Sequence, residues 1–481
     1  MTSAPLASRS FGVDDQIAFA RLSFDWNPIH QDPRFARRTQ VGSPIVHGIH
    51  ALIWAANAVL RSLPCKVLHI RARFLQPLYL DETASVRIRK RTENSIELDV
   101  VAANVVVAQI RLSCEPGTVV AADMPLATST PVRLVQPADL RFEQLAGQAG
   151  AVATTDADVT SLFPALADTI GAFAVKALLA TSYIVGMACP GLHSLFAGLD
   201  IHFTPDNGRS NTLTYAVTKV DPRFRSLQIA VLGSGIAGKL EAFARPAPPA
   251  QPGMAEIVPR VAARPFAGQR SLVIGGSRGL GEVTAKIVAA GGGSAVITYH
   301  ESGDDAERVA RDIRQAGGQC EILRYDALKP AAAQLQTLDA VDCAYYFATP
   351  RIFQRKSMLY EPQALRTFLS YYADGFYELC TALRRDGAGK LAVFYPSTMA
   401  IEEGVSGTAE YAMAKMAGEI LANHLNEFSS NIFVLCRRLP RILTDQTATV
   451  GVASAANALD VMLPIVYELQ QSARPNPEPR S

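Results

Sequence analysis

The pattern of apolar residues changes along the chain, and this change constrains the fold more than any other feature. Before residue 245, candidate strands alternate apolar and polar side chains, which is typical of antiparallel strands with one buried face. After residue 265, strands and helices alternate, which is typical of a parallel sheet covered by helices. Residues 246–265 between them are rich in Pro and Ala and predict a linker. At 481 residues the chain is also too long for one core.

The first region repeats one order of elements. Residues 48–63 predict a helix that Pro64 ends, and strands follow at residues 67–74, 84–91, 95–103 and 105–114. Residues 167–187 predict a second helix, with strands at residues 196–203, 212–220, 226–233 and 236–243. We interpret this as a duplication in which residues 189–194 correspond to residues 43–48. The predicted domains are residues 1–120 and 130–245, with a spacer rich in Pro, Ala, Thr and Val at 116–136.

Composition excludes several classes of protein. A formal net charge of +2 gives no reason to expect a nucleic-acid partner. Seven cysteines, an odd number without a CxxC pair, predict neither a disulfide framework nor a metal site and favour a reducing cytoplasm. No apolar run is long enough to span a bilayer, and the N-terminus has no secretory signal pattern. We expect a cytoplasmic protein without a membrane partner.

An acidic and an imidazole side chain lie five residues apart near the N-terminus. Asp25 and His30 belong to residues 25–30 (DWNPIH), where the Asn-Pro pair keeps the chain out of helical geometry. An imidazole in this position can act as a base towards water, while the carboxyl group moves a proton to or from the carbon beside a carbonyl. The N–H of Gly48, at the start of an apolar helix, can stabilise the developing oxyanion.

Together with residues 43–48 (SPIVHG), this spacing resembles the MaoC-like family of (R)-specific enoyl-CoA hydratases and hydroxyacyl-thioester dehydratases. The resemblance covers residues 10–115 and implies a hot-dog fold, in which an antiparallel sheet wraps a long helix. It implies that Asp25 and His30 are the catalytic pair and that Gly48 forms the oxyanion hole. His47 is interpreted as a structural turn residue.

The second copy lacks the acid–imidazole motif. Residues 130–245 are therefore expected to form a degenerate hot-dog half that completes a double hot dog, an α+β fold. In this interpretation His193 and His202 have structural roles, and the half helps to form the acyl tunnel.

A glycine-rich turn and a Tyr–Lys pair mark the last region. Residues 275–281 (GGSRGLG) follow a predicted strand and open a helix, where backbone N–H groups can reach a pyrophosphate. Tyr411 and Lys415 share one helix face, and a nearby ammonium group lowers the pKa of a phenol. Ser397 can hydrogen-bond a carbonyl that receives hydride.

These residues resemble the short-chain dehydrogenase/reductase family, and in particular the ketoacyl-thioester reductases. The resemblance implies an α/β Rossmann-type domain, a doubly wound parallel sheet, over residues 266–475. It implies a catalytic set of Ser397, Tyr411 and Lys415. By analogy with such reductases, a homodimer or homotetramer is expected.

The resemblance also implies a dinucleotide site. Its expected cofactor-binding residues are Gly275, Ser277, Arg278, Gly279, Leu280, Gly281, Asp326, Tyr411, Lys415 and Thr444. Arg278 can meet a 2′-phosphate, and residues 298–300 offer no carboxylate to repel one, so NADPH is expected in preference to NADH.

The chain departs from the reductase pattern at several places. Ile274 replaces a threonine before the glycine turn, and Arg441 replaces a glycine near the nicotinamide. Residues 346–349 (YFAT) stand where the family has Asn-Asn-Ala-Gly, and Tyr372 stands where it has an asparagine. These changes affect the proton relay and part of the cofactor cradle.

Three functions are compatible with the two motifs. The first is NADPH-dependent reduction of a 3-oxoacyl thioester, on CoA or acyl carrier protein, followed by dehydration of the (R)-3-hydroxyacyl product to a trans-2-enoyl thioester. The second is the reverse chemistry of β-oxidation, hydration followed by NAD-dependent oxidation. The third is a dehydratase attached to a catalytically weak dinucleotide-binding or dimerisation module. Arg278 favours the first.

Overall fold

The computed structural model describes residues 4–114, 130–204, 211–352, 359–384, 390–444 and 455–473. The chain divides into two compact units, with the boundary between Ala247 and Pro248. Most of the predicted spacer at residues 116–136 lies outside the described residues, which resume at residue 130.

The first unit holds one large antiparallel sheet and its helices. Its strands are β1 (Ala7–Ser10), β2 (His69–Phe74), β3 (Thr83–Arg91), β4 (Ser95–Ala102), β5 (Val105–Ser113), β6 (Ala149–Ala153), β7 (Ser194–Phe203), β8 (Thr212–Asp221), β9 (Ser226–Gly233) and β10 (Ile236–Ala244). Its α-helices are α1 (Val13–Ser23), α2 (Pro33–Arg37), α3 (Gly48–Ser62), α4 (Val159–Leu162), α5 (Pro164–Ile170) and α6 (Ala172–Tyr183). Short 3-10 turns cover Pro28–His30 and Phe142–Gln144, and a π-helical turn, Ile184–Ala188, extends α6.

The ten strands form two halves with the same internal order. The full order is β1-β3-β4-β5-β2-β7-β10-β9-β8-β6, and every neighbouring pair is antiparallel. We number the five strands of each half in chain order. From the outer edge to the centre of the sheet, both halves then have the order first, third, fourth, fifth, second. Strands β2 and β7 join the halves. The buried faces of α3 and α6 belong to one continuous apolar core shared by both halves.

One predicted correspondence between the copies is wrong. Residues 189–194 follow α6 and precede β7, whereas residues 43–48 precede α3. The segment therefore takes the place of residues 63–68, between the long helix and the next strand. The sequence pattern misled because both segments combine a proline, a glycine and a histidine, which are turn residues in either position.

The second unit is a doubly wound parallel sheet. Its strands are β11 (Arg270–Ile274), β12 (Ser294–Tyr299), β13 (Gln319–Arg324), β14 (Cys343–Tyr346), β15 (Leu391–Thr398) and β16 (Ile432–Leu439). Its helices are α7 (Met254–Ile257), α8 (Gly279–Ala290), α9 (Gly303–Gln315), α10 (Ala331–Gln334), α11 (Pro362–Leu369), α12 (Gly375–Leu383), α13 (Ala400–Glu403), α14 (Ala409–Phe428) and α15 (Ala458–Ser472), with a 3-10 turn at Val258–Arg260 and a π-helical turn at Ser370–Asp374.

The parallel strands run in the order β13-β12-β11-β14-β15-β16. Counted within the unit this is 3-2-1-4-5-6, the order of dinucleotide-binding sheets. Helices α8, α9 and α15 pack on one face and α11, α12 and α14 on the other, each over its own apolar core. The alternation predicted from the sequence is confirmed.

The predicted linker at residues 246–265 is partly structured. Helix α7 begins at Met254, and Met254 and Ile257 are buried in the core of the second unit. Burying these two apolar side chains, which lie one helical turn apart, stabilises the packed helix relative to a solvated spacer.

No single helix in the described ranges is long and apolar enough to cross a membrane. The helices Pro164–Ile170 and Ala172–Ala188 reach the required length and composition only as a pair, bent by 109°.

Candidate active sites

The loop that carries Asp25 is anchored to the second half of the sheet. Asn27 accepts a hydrogen bond from the Ile29 N–H through Oδ1 (3.2 Å), which caps the 3-10 turn. Its Nδ2 donates to the carbonyl oxygens of Gly186 (2.8 Å) and Gly191 (3.1 Å). The motif is local in sequence, but its position depends on the segment that follows α6.

The Asp25 carboxyl group is 2% exposed. Its Oδ2 accepts a hydrogen bond from Ser182 Oγ (2.7 Å), and its Oδ1 accepts one from the Asn27 N–H (3.2 Å). Burial raises the pKa of Asp25 to about 7, although these two hydrogen bonds lower it. A carboxyl group in this state can both give and take a proton near neutrality.

His30 lies beside this carboxyl group as a neutral base. Its Nδ1 is 2.8 Å from the Ile45 carbonyl oxygen, so Nδ1 carries the proton and Nε2 keeps its lone pair. Burial lowers the pKa of His30 to about 4, the bond to Ile45 opposes this shift, and the buried Arg245 guanidinium adds to it. The rings of His30 and His47 stack with 3.6 Å between centroids.

Gly48 is the first residue of α3, where its N–H has no acceptor within the helix. A Cβ at this position would lie 3.1 Å from the Phe74 ring. This places the predicted oxyanion donor at a positive helix end, on the element that follows His47 directly.

Two further residues of this site were not predicted. Ser182, on α6, holds Asp25, and a Cβ on Gly186 would come within 2.2 Å of Asp25 Oδ1, so only glycine fits there. Both lie four positions apart in the run 172–188, which also contains Lys176 and Thr181, so the sequence offers no signal that singles them out.

Two groups of side chains have the spacing of metal ligands. In Asp25, His30 and His47 the candidate ligand atoms all lie within 4.8 Å of one another, and the same holds for His69, Asp200 and His202 on β2 and β7. In the second group Asp200 is already paired with Arg71, whose Nε is 2.9 Å from Oδ2. The sequence predicts no metal at either place.

The glycine turn of the second unit requires its glycines. Gly275 has φ +77°, and a Cβ on Gly281 would lie 2.3 Å from the Gly275 carbonyl oxygen. Thr298 Oγ1, on β12, accepts a hydrogen bond from the Gly275 N–H (3.0 Å) and so holds the start of the turn. This tight strand–turn–helix leaves the start of α8 open to the close approach of a pyrophosphate, so the residues fit a dinucleotide.

The other predicted cofactor residues lie around this turn or at the ends of neighbouring strands. Arg278 is the N-cap of α8, Ser277 precedes it, and Leu280 is the second residue of the helix. A Cβ on Gly279 would lie 3.9 Å from Thr444 Cγ2, so Thr444 reaches the turn. Asp326 follows β13 and faces His300 Nε2 at 3.5 Å.

The hydroxyl group that meets Tyr411 belongs to Thr398, not to the predicted Ser397. The Thr398 side chain hydrogen-bonds the Tyr411 phenol, which lowers the pKa of Tyr411 against the larger raising effect of burial. Ser397 Oγ instead donates to Glu419, which Arg438 also binds. Successive residues of a strand point to opposite sides, so Ser397 and Thr398 cannot both face the phenol.

Lys415 is buried one helical turn after Tyr411. Its Nζ donates to the Pro396 carbonyl oxygen (2.6 Å) and lies 4.0 Å from the centre of the Tyr372 ring. Burial lowers the pKa of Lys415 to about 7. The Tyr372 hydroxyl, at the position where the sequence resemblance predicts an asparagine, lies 2.5 Å from Thr349 Oγ1.

The remaining histidines named from the sequence contact acidic side chains. His193 Nε2 lies 3.2 Å from Asp139 Oδ1, and His202 stacks on His69, whose Nε2 bonds Asp200. The prediction that these two histidines are structural stays a prediction.

Comparison with known proteins bears on the N-terminal site. A family model described as MaoC like domain matches residues 3–109. The (R)-specific enoyl-CoA hydratase of Aeromonas caviae is 52% identical over 42 residues, which are 9% of this chain and 31% of that protein. Peroxisomal enoyl-CoA hydratase 2 of Arabidopsis thaliana is 38% identical over 72 residues, 14% of this chain and 23% of that protein. Peroxisomal multifunctional enzyme type 2 of Mus musculus is 35% identical over 80 residues, which are 16% of this chain and 11% of that protein.

The chain thus matches between 11% and 31% of the length of these relatives. The predicted MaoC-like domain at the N-terminus is confirmed by the family model. Among solved structures, a short-chain dehydrogenase/reductase of Serratia marcescens is similar with 20% identity, a TM-score of 0.38 and coverage of 44% of this chain and 94% of that one. A 3-oxoacyl (acyl-carrier-protein) reductase of Agrobacterium tumefaciens with NADP bound has 18% identity, a TM-score of 0.38 and coverage of 42% and 88%.

The raised pKa of Asp25 predicts a pH-dependent stability. The folded state keeps this proton up to about pH 7, whereas the unfolded chain loses it near 3.8, so folding is progressively less favourable as pH rises between these values. Asp25→Asn removes this penalty, and its stability relative to wild type should increase between pH 4 and 8, by up to about 4 kcal/mol. Urea unfolding followed by tryptophan fluorescence measures this, because both tryptophans, Trp26 and Trp54, lie in the first unit.

The matched control is His30→Gln, for which the opposite sign is expected. His30 charges near pH 6.5 when unfolded but only near 4 when folded, so wild-type stability falls as pH drops through that interval, and the variant escapes the loss. A relative stability of Asp25→Asn that does not change with pH would contradict the assignment.

Proposed function

We propose that the chain is a bifunctional enzyme of acyl-thioester metabolism, of the fatty acid or polyketide type. Its second unit reduces a 3-oxoacyl thioester with NADPH, and its first unit dehydrates the (R)-3-hydroxyacyl product to a trans-2-enoyl thioester. The observation that carries the lyase assignment is the buried Asp25 carboxyl group, half protonated near neutrality, beside the neutral base His30. Joining both units in one chain raises the local concentration of the intermediate.

In the proposed lyase site each residue has one task. In dehydration, the Asp25 carboxylate takes the proton from the carbon next to the thioester carbonyl, and the Gly48 N–H stabilises the enolate oxygen. The hydroxyl group leaves as water with a proton from His30 Nε2, so His30 enters dehydration as the imidazolium and ends neutral, while Asp25 enters as the carboxylate and ends protonated. Hydration is the reverse, with Asp25 protonated at the start. Removal of one such acid–base group costs roughly 10²- to 10⁴-fold in rate.

We propose that the first unit is a double hot dog in which only the first half carries catalytic chemistry. Two halves with the same strand order support this, as does a shared core beneath the sheet. The second half contributes Ser182 and the π-helical turn with Gly186, which close over Asp25. It therefore shapes the site although it lacks the motif.

In the proposed reductase site the protein positions and protonates the carbonyl oxygen. A reduced nicotinamide dinucleotide, when bound, supplies the hydride. Thr398 donates a hydrogen bond to the substrate oxygen, and Tyr411 gives it a proton. Lys415, one helical turn away, stabilises the phenolate that remains. Arg278, Ser277 and the glycines of the turn would hold the dinucleotide phosphates, with Thr444 beside them.

The third function, a weak dinucleotide-binding module, keeps one specific observation in its favour. Tyr372 is fully buried and stacks on Phe368 where the family places an asparagine, and its ring lies against Lys415. A relay that runs through an amide group in the family therefore has no counterpart at this position.

We also propose a cytoplasmic location and a homodimer or homotetramer, with CoA or acyl carrier protein as the carrier. Seven free thiols support a reducing compartment. Helix α14 exposes Ile420 (65%) and Phe428 (68%), apolar side chains that a subunit contact would cover.

The two activities should separate cleanly by mutation. Asp25→Asn should reduce hydration of crotonyl-CoA by about 100-fold or more, while NADPH-dependent reduction of acetoacetyl-CoA stays near wild type. Tyr411→Phe should do the reverse. Steady-state rates of both reactions, with mass analysis of the products from 3-oxoacyl-CoA and NADPH, measure this. Unchanged reduction in Tyr411→Phe would favour the weak module, and unchanged hydration in Asp25→Asn would defeat the lyase.

The two neighbouring hydroxyl residues of β15 form a matched pair. Thr398→Val removes the hydroxyl next to Tyr411 with little change in shape, and kcat for acetoacetyl-CoA reduction should fall by about 100-fold. Ser397→Ala removes only a bond to Glu419 and should cost less than about tenfold. A larger loss in Ser397→Ala than in Thr398→Val would restore Ser397 as the catalytic hydroxyl.

NADPH should be the better reductant. A guanidinium at the start of α8 gains a charge-assisted bond to a 2′-phosphate, worth roughly tenfold or more in kcat/KM over NADH. The comparison uses acetoacetyl-CoA with each dinucleotide, and Arg278→Gln should reduce the ratio. A strong preference for NADH would instead support the β-oxidation direction.

A further inference from the structure

A buried glutamine contacts the histidine next to the catalytic pair. Gln16 lies on α1 and is 0% exposed. Its Oε1 accepts two hydrogen bonds from His47, one from the backbone N–H (3.0 Å) and one from Nδ1 (2.9 Å). Its Nε2 lies 3.5 Å from His50 Nδ1. Gln16 belongs to no motif in the sequence, and His47 was interpreted there as a turn residue.

These contacts determine which ring nitrogen of neutral His47 carries the hydrogen. A backbone N–H can only donate, so the atom of Gln16 that faces it is the oxygen, which can only accept. His47 Nδ1 must therefore carry a hydrogen. The other ring nitrogen, Nε2, lies 3.8 Å from Asp25 Oδ2 and 3.2 Å from the Asp25 backbone oxygen. It is the only nitrogen of this ring left to exchange a proton with the carboxyl group.

We propose that Gln16 is a positioning residue that keeps the shared proton of the Asp25–His47 pair on Asp25. Gln16 is a neutral acceptor, so it orders the His47 ring without compensating a positive charge on it. A buried imidazolium needs such compensation, and the Asp25 oxygens are 3.8 Å away, beyond hydrogen-bond distance. The inference rests on the proposed lyase function, for which Asp25 must hold its proton near neutrality.

The coulombic influences on His47 itself come from the histidines His30 and His50 and not from an arginine or lysine. Four titratable or charged groups face it or its direct neighbours: Asp25, His30 in ring contact, His50 through Gln16, and Arg245, which acts on His30. Arg9 and Asp15 act on His50 from further out. Burial lowers the pKa of His30 to about 4 and of His50 to about 3, so both are neutral in the working range. A charge introduced at position 16 would therefore be the main new electrostatic influence on His47.

Gln16→Glu replaces the neutral acceptor with an anion of almost the same shape. The carboxylate can accept the same two hydrogen bonds and compensates an imidazolium at His47. That imidazolium would find its second acceptor ready at the Asp25 backbone oxygen, 3.2 Å from Nε2. The proton then moves from Asp25 Oδ2 to His47 Nε2, and Asp25 becomes a carboxylate at a lower pH.

The test is the pH profile of crotonyl-CoA hydration in wild type, Gln16→Glu and the uncharged control Gln16→Met. Hydration needs protonated Asp25, so the wild-type rate should fall above about pH 7. In Gln16→Glu this fall should begin at least about one pH unit lower, a tenfold change in the proton equilibrium. In Gln16→Met the rate decreases but the midpoint stays. An unmoved midpoint in Gln16→Glu, or an equal shift in Gln16→Met, overturns the proposal.

A second measurement does not depend on activity. In ¹⁵N-histidine-labelled protein, the nitrogen shifts of His47 should report the neutral Nδ1–H form in wild type and the imidazolium in Gln16→Glu at pH 7. A wild-type His47 protonated on Nε2 alone overturns the proposal even if Gln16→Glu does not fold. If wild type hydrates no thioester, the proposed function fails, while the nitrogen shifts still decide the claim about Gln16 and His47.

Discussion

The exclusion of water from the Asp25 carboxyl group is the constraint on which the first unit depends. An exposed aspartate is ionised at neutral pH and is a weak base, so the chemistry attributed to the motif requires burial. That burial comes from α6 and the π-helical turn after it, which belong to the half of the sheet without the motif. The half without the motif therefore contributes directly to the environment of Asp25.

The cover over Asp25 also depends on how the two halves of the sheet are joined. Residues 69–73 of β2 pair with residues 198–202 of β7, which fixes the two halves to each other and so fixes α6 over the loop that carries Asp25. A separate subunit could supply the same cover only by association. In one chain the cover is permanent.

Sequence predicts the local parts of both sites and fails where tertiary register decides. Asp25 and His30 share one turn, and Tyr411 and Lys415 share one helix face, so spacing alone places each pair. Ser182 lies 157 residues from Asp25, and no local pattern links them.

The difference between the predicted Ser397 and the observed Thr398 has the same cause. Both lie at the end of β15, and only the side of the sheet on which α14 packs decides which hydroxyl meets Tyr411. Gly418 shows how close this packing is, because a Cβ there would lie 1.8 Å from the Tyr395 hydroxyl oxygen. The strand itself was predictable, but the face that it turns to the helix was not.

The two units bring different groups to the same pKa by one physical effect. Burial disfavours the charged form of any group, so it raises the pKa of the Asp25 acid and lowers that of the Lys415 base, in both cases to about 7. Each group therefore populates both protonation states at one pH. An acid and an amine with ordinary pKa values, near 4 and 10, would not do so at any common pH.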